Sequence, residues 1–222
     1  MQNKFDTIIF DLDGTLLNTL DDLTYSINAA LERCGYPTHT TAEVRRFIGN
    51  GAKLLVRRAL APIDEEQAVK TVLAAFNEIY GKNMKNKTAP YDGINAVLAR
   101  FKQSGIKMAV VSNKPHFAVV PLIEEYFGQY ITTAIGVDEN TPEKPDPAGA
   151  LKAVATLGSE KSRTVYMGDS NVDIFTAKNA GLYAVGCSWG FRDRDELLEA
   201  GADAVIDSPE QLLELFKISS PN

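Results

Sequence analysis

Cysteine and histidine are scarce, two of each in 222 residues, and that scarcity excludes several chemistries. Cys34 and Cys187 are too few for a disulfide framework and stand in apolar surroundings, so they read as inert core thiols in a reducing compartment. Neither His39 nor His116 belongs to a cluster with metal-ligand spacing, and both read as loop or surface residues. Positive charge is also short. Against 29 Asp and Glu there are 23 Lys and Arg, a formal net charge of −6, which suits nucleic acid poorly because such binding depends on cations neutralising phosphates. A small anionic substrate stays compatible if the site is locally positive or holds a metal. No apolar run approaches the roughly 20 residues a membrane helix needs, and Lys4 and Asp6 interrupt the N-terminal stretch where a signal peptide would be apolar. The expectation is a soluble, cytoplasmic protein with no membrane and no nucleic-acid partner.

What the chain does contain is an apolar share of 45%, sufficient for a core, arranged as short runs at 7–10, 107–111, 131–135, 164–167, 183–187 and 204–206. Each is about strand length, and several are apolar throughout, as parallel strands buried on both faces should be. Amphipathic helical stretches at 93–104, 115–127, 147–157, 171–180 and 209–216 alternate with them, several closed by glycine (Gly105, Gly128, Gly158, Gly181). That alternation predicts an α/β fold with a parallel sheet covered on both faces. Between residues 20 and 82 no strand is legible, only helical patterns at 21–33, 41–48, 52–61 and 65–80. A parallel crossover needs only a dozen or more residues, so this interval reads as an inserted all-helical domain. The boundaries predicted are 1–17 and 84–222 for the sheet domain and 18–83 for the insert, with residues 83–87 as a polar, mobile return linker.

Ligands of open parallel sheets bind outside the carboxyl ends of the strands, and four polar clusters fall at those positions. They are Asp11-Leu12-Asp13-Gly14-Thr15, Ser112-Asn113-Lys114, Glu143-Lys144-Pro145-Asp146-Pro147 and Gly168-Asp169-Ser170-Asn171-Val172-Asp173. Each alone has a plain explanation: Asp13-Gly14 as a turn, Asp169 and Ser170 as helix caps, Lys144 as a loop lysine, Ser112 as a helix-entry residue. Together they offer carboxylates, a hydroxyl, an amide and a lysine. Two carboxylates one residue apart repel, so one of the first pair should resist ionising. Oxygen-only donors suit Mg²⁺, with Asp11 and Asp169 as carboxylate ligands. Lys144 and Ser112 can hold phosphate oxygens, and N–H groups at Leu12, Asn113 and Gly14 can add anion donors.

DLDGTL, SNK, EKPDP and GDSNVD, in this order and spacing, resemble the haloacid dehalogenase superfamily of phosphatases and phosphotransferases over essentially the whole chain. The resemblance implies a Rossmann-like core with the first strand between the second and fourth, and the helical insert as a cap domain. It implies Asp11 as a nucleophile forming an aspartyl-phosphate, and Asp13 as general acid and then base. Lys144 would complete the catalytic set, with Ser112 and Asn113 on the phosphate. The metal set would be Asp11, Asp169 and the backbone carbonyl of Asp13. Gly14, Ser170 and Asp173 have auxiliary roles, Asp173 beside the metal or orienting Lys144. In the insert, the turn Ile48-Gly49-Asn50-Gly51-Ala52-Lys53, followed by RRAL, resembles bacterial phosphoglycolate phosphatases. Gly49, Asn50, Gly51 and Lys53 are therefore candidate readers of a substrate carboxylate, although the same turn also serves as a plain interhelical connection. The chain departs from the pattern at Asn18, where relatives often carry Asp. Trp189 reads as a packing residue. The expected reaction is Mg²⁺-dependent hydrolysis of a small phosphorylated metabolite, 2-phosphoglycolate first, by a monomer or homodimer. Pyrophosphatase, nucleotide or sugar phosphatase and sugar-phosphate mutase remain as alternatives, as does a non-catalytic binder on the same fold.

Overall fold

The computed structural model describes residues 4–218. In chain order its elements begin with β1 (Thr7–Phe10), β2 (Leu17–Asn18), α1 (Leu20–Arg33), α2 (Thr41–Phe47), α3 (Gly51–Leu60), α4 (Glu66–Asn83) and β3 (Ala89–Pro90). There follow α5 (Ile94–Gln103), β4 (Lys107–Pro115), α6 (His116–Phe127), β5 (Thr133–Val137) and α7 (Ala148–Thr156). The chain continues through β6 (Thr164–Gly168), α8 (Asn171–Ala180), β7 (Tyr183–Cys187), α9 (Arg194–Glu199), β8 (Ala204–Ile206) and α10 (Gln211–Leu215). These elements fall into two compact units, Asn18–Ala89 and the segments on either side of it.

The unit built from the flanking segments is an α/β domain. Its sheet has the order β5-β4-β1-β6-β7-β8, and the strand pairs are parallel. β1 lies centrally, Thr7 facing Lys107 on one side and Thr164 on the other, as the Rossmann-like reading required. Its sequence TIIF is buried along its whole length. Complete burial of Ile8, Ile9 and Phe10 contributes about 1.5–3 kcal/mol for each side chain. One layer of core packs Ile9, Ala109 and Tyr166 against Ile174 and Ala177 of α8 and Leu197 of α9. Elsewhere Phe101 of α5 meets Phe216, just past α10, with ring centroids 4.8 Å apart. Because the strands run parallel, Asp11, Ser112 and Asp169 emerge at one edge of the sheet.

Some boundaries moved. β4 runs through Pro115, four residues beyond the apolar run, with a register shift between Val111 and Pro115. The third run sits at Thr133–Val137. α9 escaped the sequence reading because only Leu197 of its six residues is buried, too few to show a period.

In the helical unit, α2 starts with a capping box: Glu43 N–H donates to Thr40 Oγ1 at 3.3 Å and Thr40 N–H to Glu43 Oε2 at 2.8 Å. Losing Thr40 costs such a helix about 1 kcal/mol. The unit extends to Ala89, six residues past the predicted boundary, and residues 84–89 are not a loose linker. The buried Asp22 carboxylate on α1 accepts the N–H of Lys87 at 3.0 Å and both the N–H and hydroxyl of Thr88 at 2.9 Å. A buried carboxylate without partners is costly, so Asp22 binds this segment to α1. Among the described residues no helix is long and apolar enough to cross a membrane.

Candidate active site

The end of β1 carries Asp11 into the α/β domain's interior, 6% exposed, its N–H donating to Met167 O at 2.8 Å. Lys144 Nζ sits between two carboxylates, 2.6 Å from Asp11 Oδ1 and 2.7 Å from Asp173 Oδ1. Asp169 completes the group: oxygens of Asp11, Asp169 and Asp173 lie within 4.8 Å of one another, all three residues buried. Asp173 also closes the start of α8, its Oδ2 accepting the Ser170 N–H at 3.1 Å and hydroxyl at 2.6 Å. It therefore serves the helix and orients Lys144 at the same time.

Three buried carboxylates share one buried ammonium here, and the electrostatics follow from that surplus. Burial pushes the Asp11 carboxyl up to about 7, Lys144 pulling it down while Asp173 and Asp13 push it further up. Asp169 is likewise raised, by burial first and then by Asp173 and Asp11. Burial alone would lower the lysine, but Asp11 and Asp173 hold it well above its usual range. The lysine stays charged and the excess falls on the acids. An all-oxygen set with uncompensated negative charge is what a hard divalent cation fits, so these residues match the implied Mg²⁺.

Asp13 has different surroundings. Its Oδ1 lies 2.6 Å from Lys114 Nζ, the two side chains 16% and 5% exposed. The sequence reading named Lys114 within SNK but gave it no role. The Asn113 side chain has a further part. It accepts the Lys144 N–H at 2.6 Å and donates to Lys144 O at 3.1 Å, so it clamps the loop that carries the lysine. The extended backbone of β4 sends successive side chains opposite ways, which takes Asn113 to Lys144 and Lys114 to Asp13. Ser112 is buried beside them, its Oγ accepting the Lys114 N–H at 3.3 Å. Gly14 N–H donates to Leu17 O at 2.8 Å and is thus not an anion donor, a correction to the sequence reading. Gly14 is required for space and backbone: at φ +85° a Cβ would collide with the Asp169 carboxylate and the Phe191 ring.

The segment after β7 supplies contacts that went unforeseen. Phe191 N–H donates to Asp169 Oδ2 at 2.7 Å, opposite the Thr15 hydroxyl, 3.3 Å from Oδ1. Gly190 is confined as Gly14 is, its missing Cβ replaced by Asp169 and Gly14 O. Trp189 does more than pack, donating Nε1–H to Thr15 O at 3.1 Å. Cys187 is fully buried, and burial raises its thiol pKa, which keeps it inert; Cys34 is only half-buried. His39 and His116 are structural, Nε2 of the first 2.7 Å from Ala59 O and Nδ1 of the second accepting the Gly136 N–H at 3.3 Å.

The insert residues belong to the helical unit. Gly49 and Gly51 have φ of 125° and 79°, and α3 starts at Gly51. Asn50 Oδ1 accepts from Arg58, which also donates to Phe47 O at 2.7 Å. Lys53 is 2.8 Å from Glu66 on the surface. Asn18 Oδ1 accepts the Leu20 N–H at 3.3 Å.

Residues 8–187 match the profile of the haloacid dehalogenase-like hydrolases. The chain belongs to that family. Within the haloacid dehalogenase-like hydrolases its relatives include phosphoglycolate phosphatase 1 of Pseudomonas aeruginosa, 36% identical over 93% of this chain and 78% of the relative. The phosphoglycolate phosphatase of Haemophilus influenzae is 34% identical over 97% of this chain and its own full length. A crystal structure of a proposed phosphoglycolate phosphatase from Lactobacillus delbrueckii subsp. bulgaricus superposes with a TM-score of 0.92 at 34% identity, covering 96% of this chain and 98% of the other. The chain is thus a phosphoglycolate phosphatase-like haloacid dehalogenase protein.

Proposed function

We propose that this protein is a Mg²⁺-dependent phosphatase that hydrolyses 2-phosphoglycolate through a phosphorylated Asp11. The observation that carries the reading is the unlike environment of two carboxylates one residue apart. Asp11 is buried against Lys144 in the acidic cluster, whereas Asp13 faces Lys114 outside it. A nucleophile needs to be held in line and ionised, which a bound cation beside Lys144 would secure for Asp11, and an acid–base group needs to stand off that cation with one oxygen open to the leaving group. One carboxylate suits each task.

In this reading Asp11, Asp169 and the Asp13 carbonyl would hold the metal, with Asp173 adjacent to Asp11 and Asp169. When bound, Mg²⁺ supplies charge neutralisation for the carboxylates and the phosphoryl oxygens. Lys144 keeps Asp11 fixed in orientation and, with Ser112, takes phosphoryl oxygens. Asp11 attacks phosphorus, the ester bond breaks, and Asp13 gives its proton to the leaving oxygen. Asp13 then removes a proton from the water that hydrolyses the aspartyl-phosphate. The choice of 2-phosphoglycolate draws on the relatives' activity and on the glycine turn leading into α3, where the first N–H groups of a helix favour a carboxylate. Phosphate release from 2-phosphoglycolate, pyrophosphate, nucleoside monophosphates and sugar phosphates, with Mg²⁺ and with Asp11→Asn as control, tests it. Preference for 2-phosphoglycolate is the expected result. Broad weak hydrolysis removes the named substrate, and rearranged sugar phosphate without free phosphate replaces hydrolase by mutase.

A further inference from the structure

We infer that Lys114 is the positioning residue for the acid–base carboxylate, fixing Asp13 so that one oxygen is anchored and the other faces the leaving group. The inference rests on the phosphatase reading above and adds to it a residue from outside the acidic cluster. Lys114 stands at the end of β4, hydrogen-bonded neighbour of β1 in register Phe10 to Val110. Asp13 follows β1 by three residues and Lys114 follows Val110 by four, so the sheet itself brings the two together. Their contact of 2.6 Å is shielded, Lys114 being 5% exposed in its side chain.

An aspartate carboxyl rotates about two side-chain bonds, and a proton donor that wanders between rotamers is out of line for much of the time. Tethering Oδ1 to a buried ammonium fixes both rotations and decides which oxygen does chemistry. Oδ1 is occupied as an acceptor, so the transferable proton belongs on Oδ2. In the first transfer a bond forms between an Asp11 oxygen and phosphorus. The ester P–O bond breaks, its electron pair stays on the leaving oxygen, and the proton from Asp13 Oδ2 neutralises that oxygen. In the second transfer the water oxygen bonds to phosphorus, the Asp11 O–P bond breaks with its electron pair returning to the carboxylate, and the same Oδ2 receives the proton that the water gives up. Lys114 neither touches phosphorus nor carries a proton in this scheme. Its contribution is orientation, of the kind worth orders of magnitude when a reacting group is displaced by about 1 Å.

Leaving-group dependence separates this role from a structural one. An alkoxide needs protonation as it departs, whereas p-nitrophenolate leaves unaided. The experiment compares kcat/KM for 2-phosphoglycolate and p-nitrophenyl phosphate in wild type, Lys114→Met, Asp13→Asn and the double variant, with thermal melts as a check on folding. Lys114→Met is expected to lower kcat/KM at least tenfold for the alkyl ester and by less than about threefold for the aryl ester, while kcat falls for both because hydrolysis still needs the base. In the Asp13→Asn background the same change adds no further loss, the signature of two residues acting as one unit. Equal losses on both esters, or an undiminished loss in the Asp13→Asn background, overturn the inference and leave the phosphatase intact. Wild-type protein that releases phosphate from neither ester overturns the underlying reading first, and the inference with it.

Discussion

The strand-end cluster of the α/β domain and the α3 turn of the helical unit both present lysines and acids, yet they are built on opposite principles. In the cluster Lys144, Asp11, Asp169 and Asp173 are buried, and each has a partner from a different strand end or loop. Around α3, Lys53 and Arg57 meet Glu66 at the surface, with side chains 38–52% exposed. Buried charges are costly to bring together and more costly to leave unpaired; exposed pairs contribute about 0–1 kcal/mol. The difference teaches where the protein can change. The proposed chemistry is held by contacts that fail together, and the proposed substrate reader by contacts that exchange one at a time.

Substitutions in the two regions should therefore differ in size. Asp11→Asn is expected to reduce phosphate release by at least a thousandfold, about 4 kcal/mol of transition-state stabilisation; activity near wild type would remove Asp11 as nucleophile. Lys144→Met leaves three buried acids without their ammonium. Its unfolding free energy in chelator should fall by about 3–5 kcal/mol in urea titrations, and a wild-type midpoint would show that the cluster is not coupled.

Mg²⁺ offers a graded test. Asp11 keeps its proton to about 7 without metal, against 3.8 when exposed. From pH 4 to 7 the unfolded chain has released this proton while the folded chain retains it, so this group makes metal-free stability decline over that window and level off above it. Metal binding must expel the same proton below pH 7. At one fixed Mg²⁺ concentration the rise in melting temperature should be larger at pH 8 than at pH 6, as read by paired thermal melts; the reverse order would contradict an ionised Asp11 as ligand. The smallest effect belongs to the surface. Lys53→Ala should cost less than about 1 kcal/mol, and as a carboxylate reader it should raise KM for 2-phosphoglycolate without changing that for p-nitrophenyl phosphate. Equal KM changes would return the α3 turn to a purely structural role.

What could be read in advance follows the same division. TIIF, the glycine-closed helices and the strand-free interval carry local periodicity, so the parallel sheet and helical insert were legible. That Asp11, Lys144, Asp169 and Asp173 would meet was legible because they stand in polar clusters at the carboxyl ends of neighbouring parallel strands. The Asn113 clamp, the Phe191 N–H and the Lys114–Asp13 pair were not, since each joins residues distant in sequence through geometry that no spacing encodes. Gly14 was half legible. Its turn was evident, but the carboxylate filling the place of a side chain lies 155 positions away at Asp169.

The seam at the helical unit has a consequence of its own. β2 pairs with β3, so the chain leaves and re-enters the α/β domain at points about one strand spacing apart, roughly 5 Å. To the sheet, 72 residues are therefore equivalent to a tight loop, and the entropy of closing it grows only slowly with what is threaded through it. Asp22 hems the inner side by binding residues 87 and 88. A chimaera cut at 17/18 and 89/90 would carry its own hem with it, which makes that pair of cuts the natural place to exchange one helical unit for another.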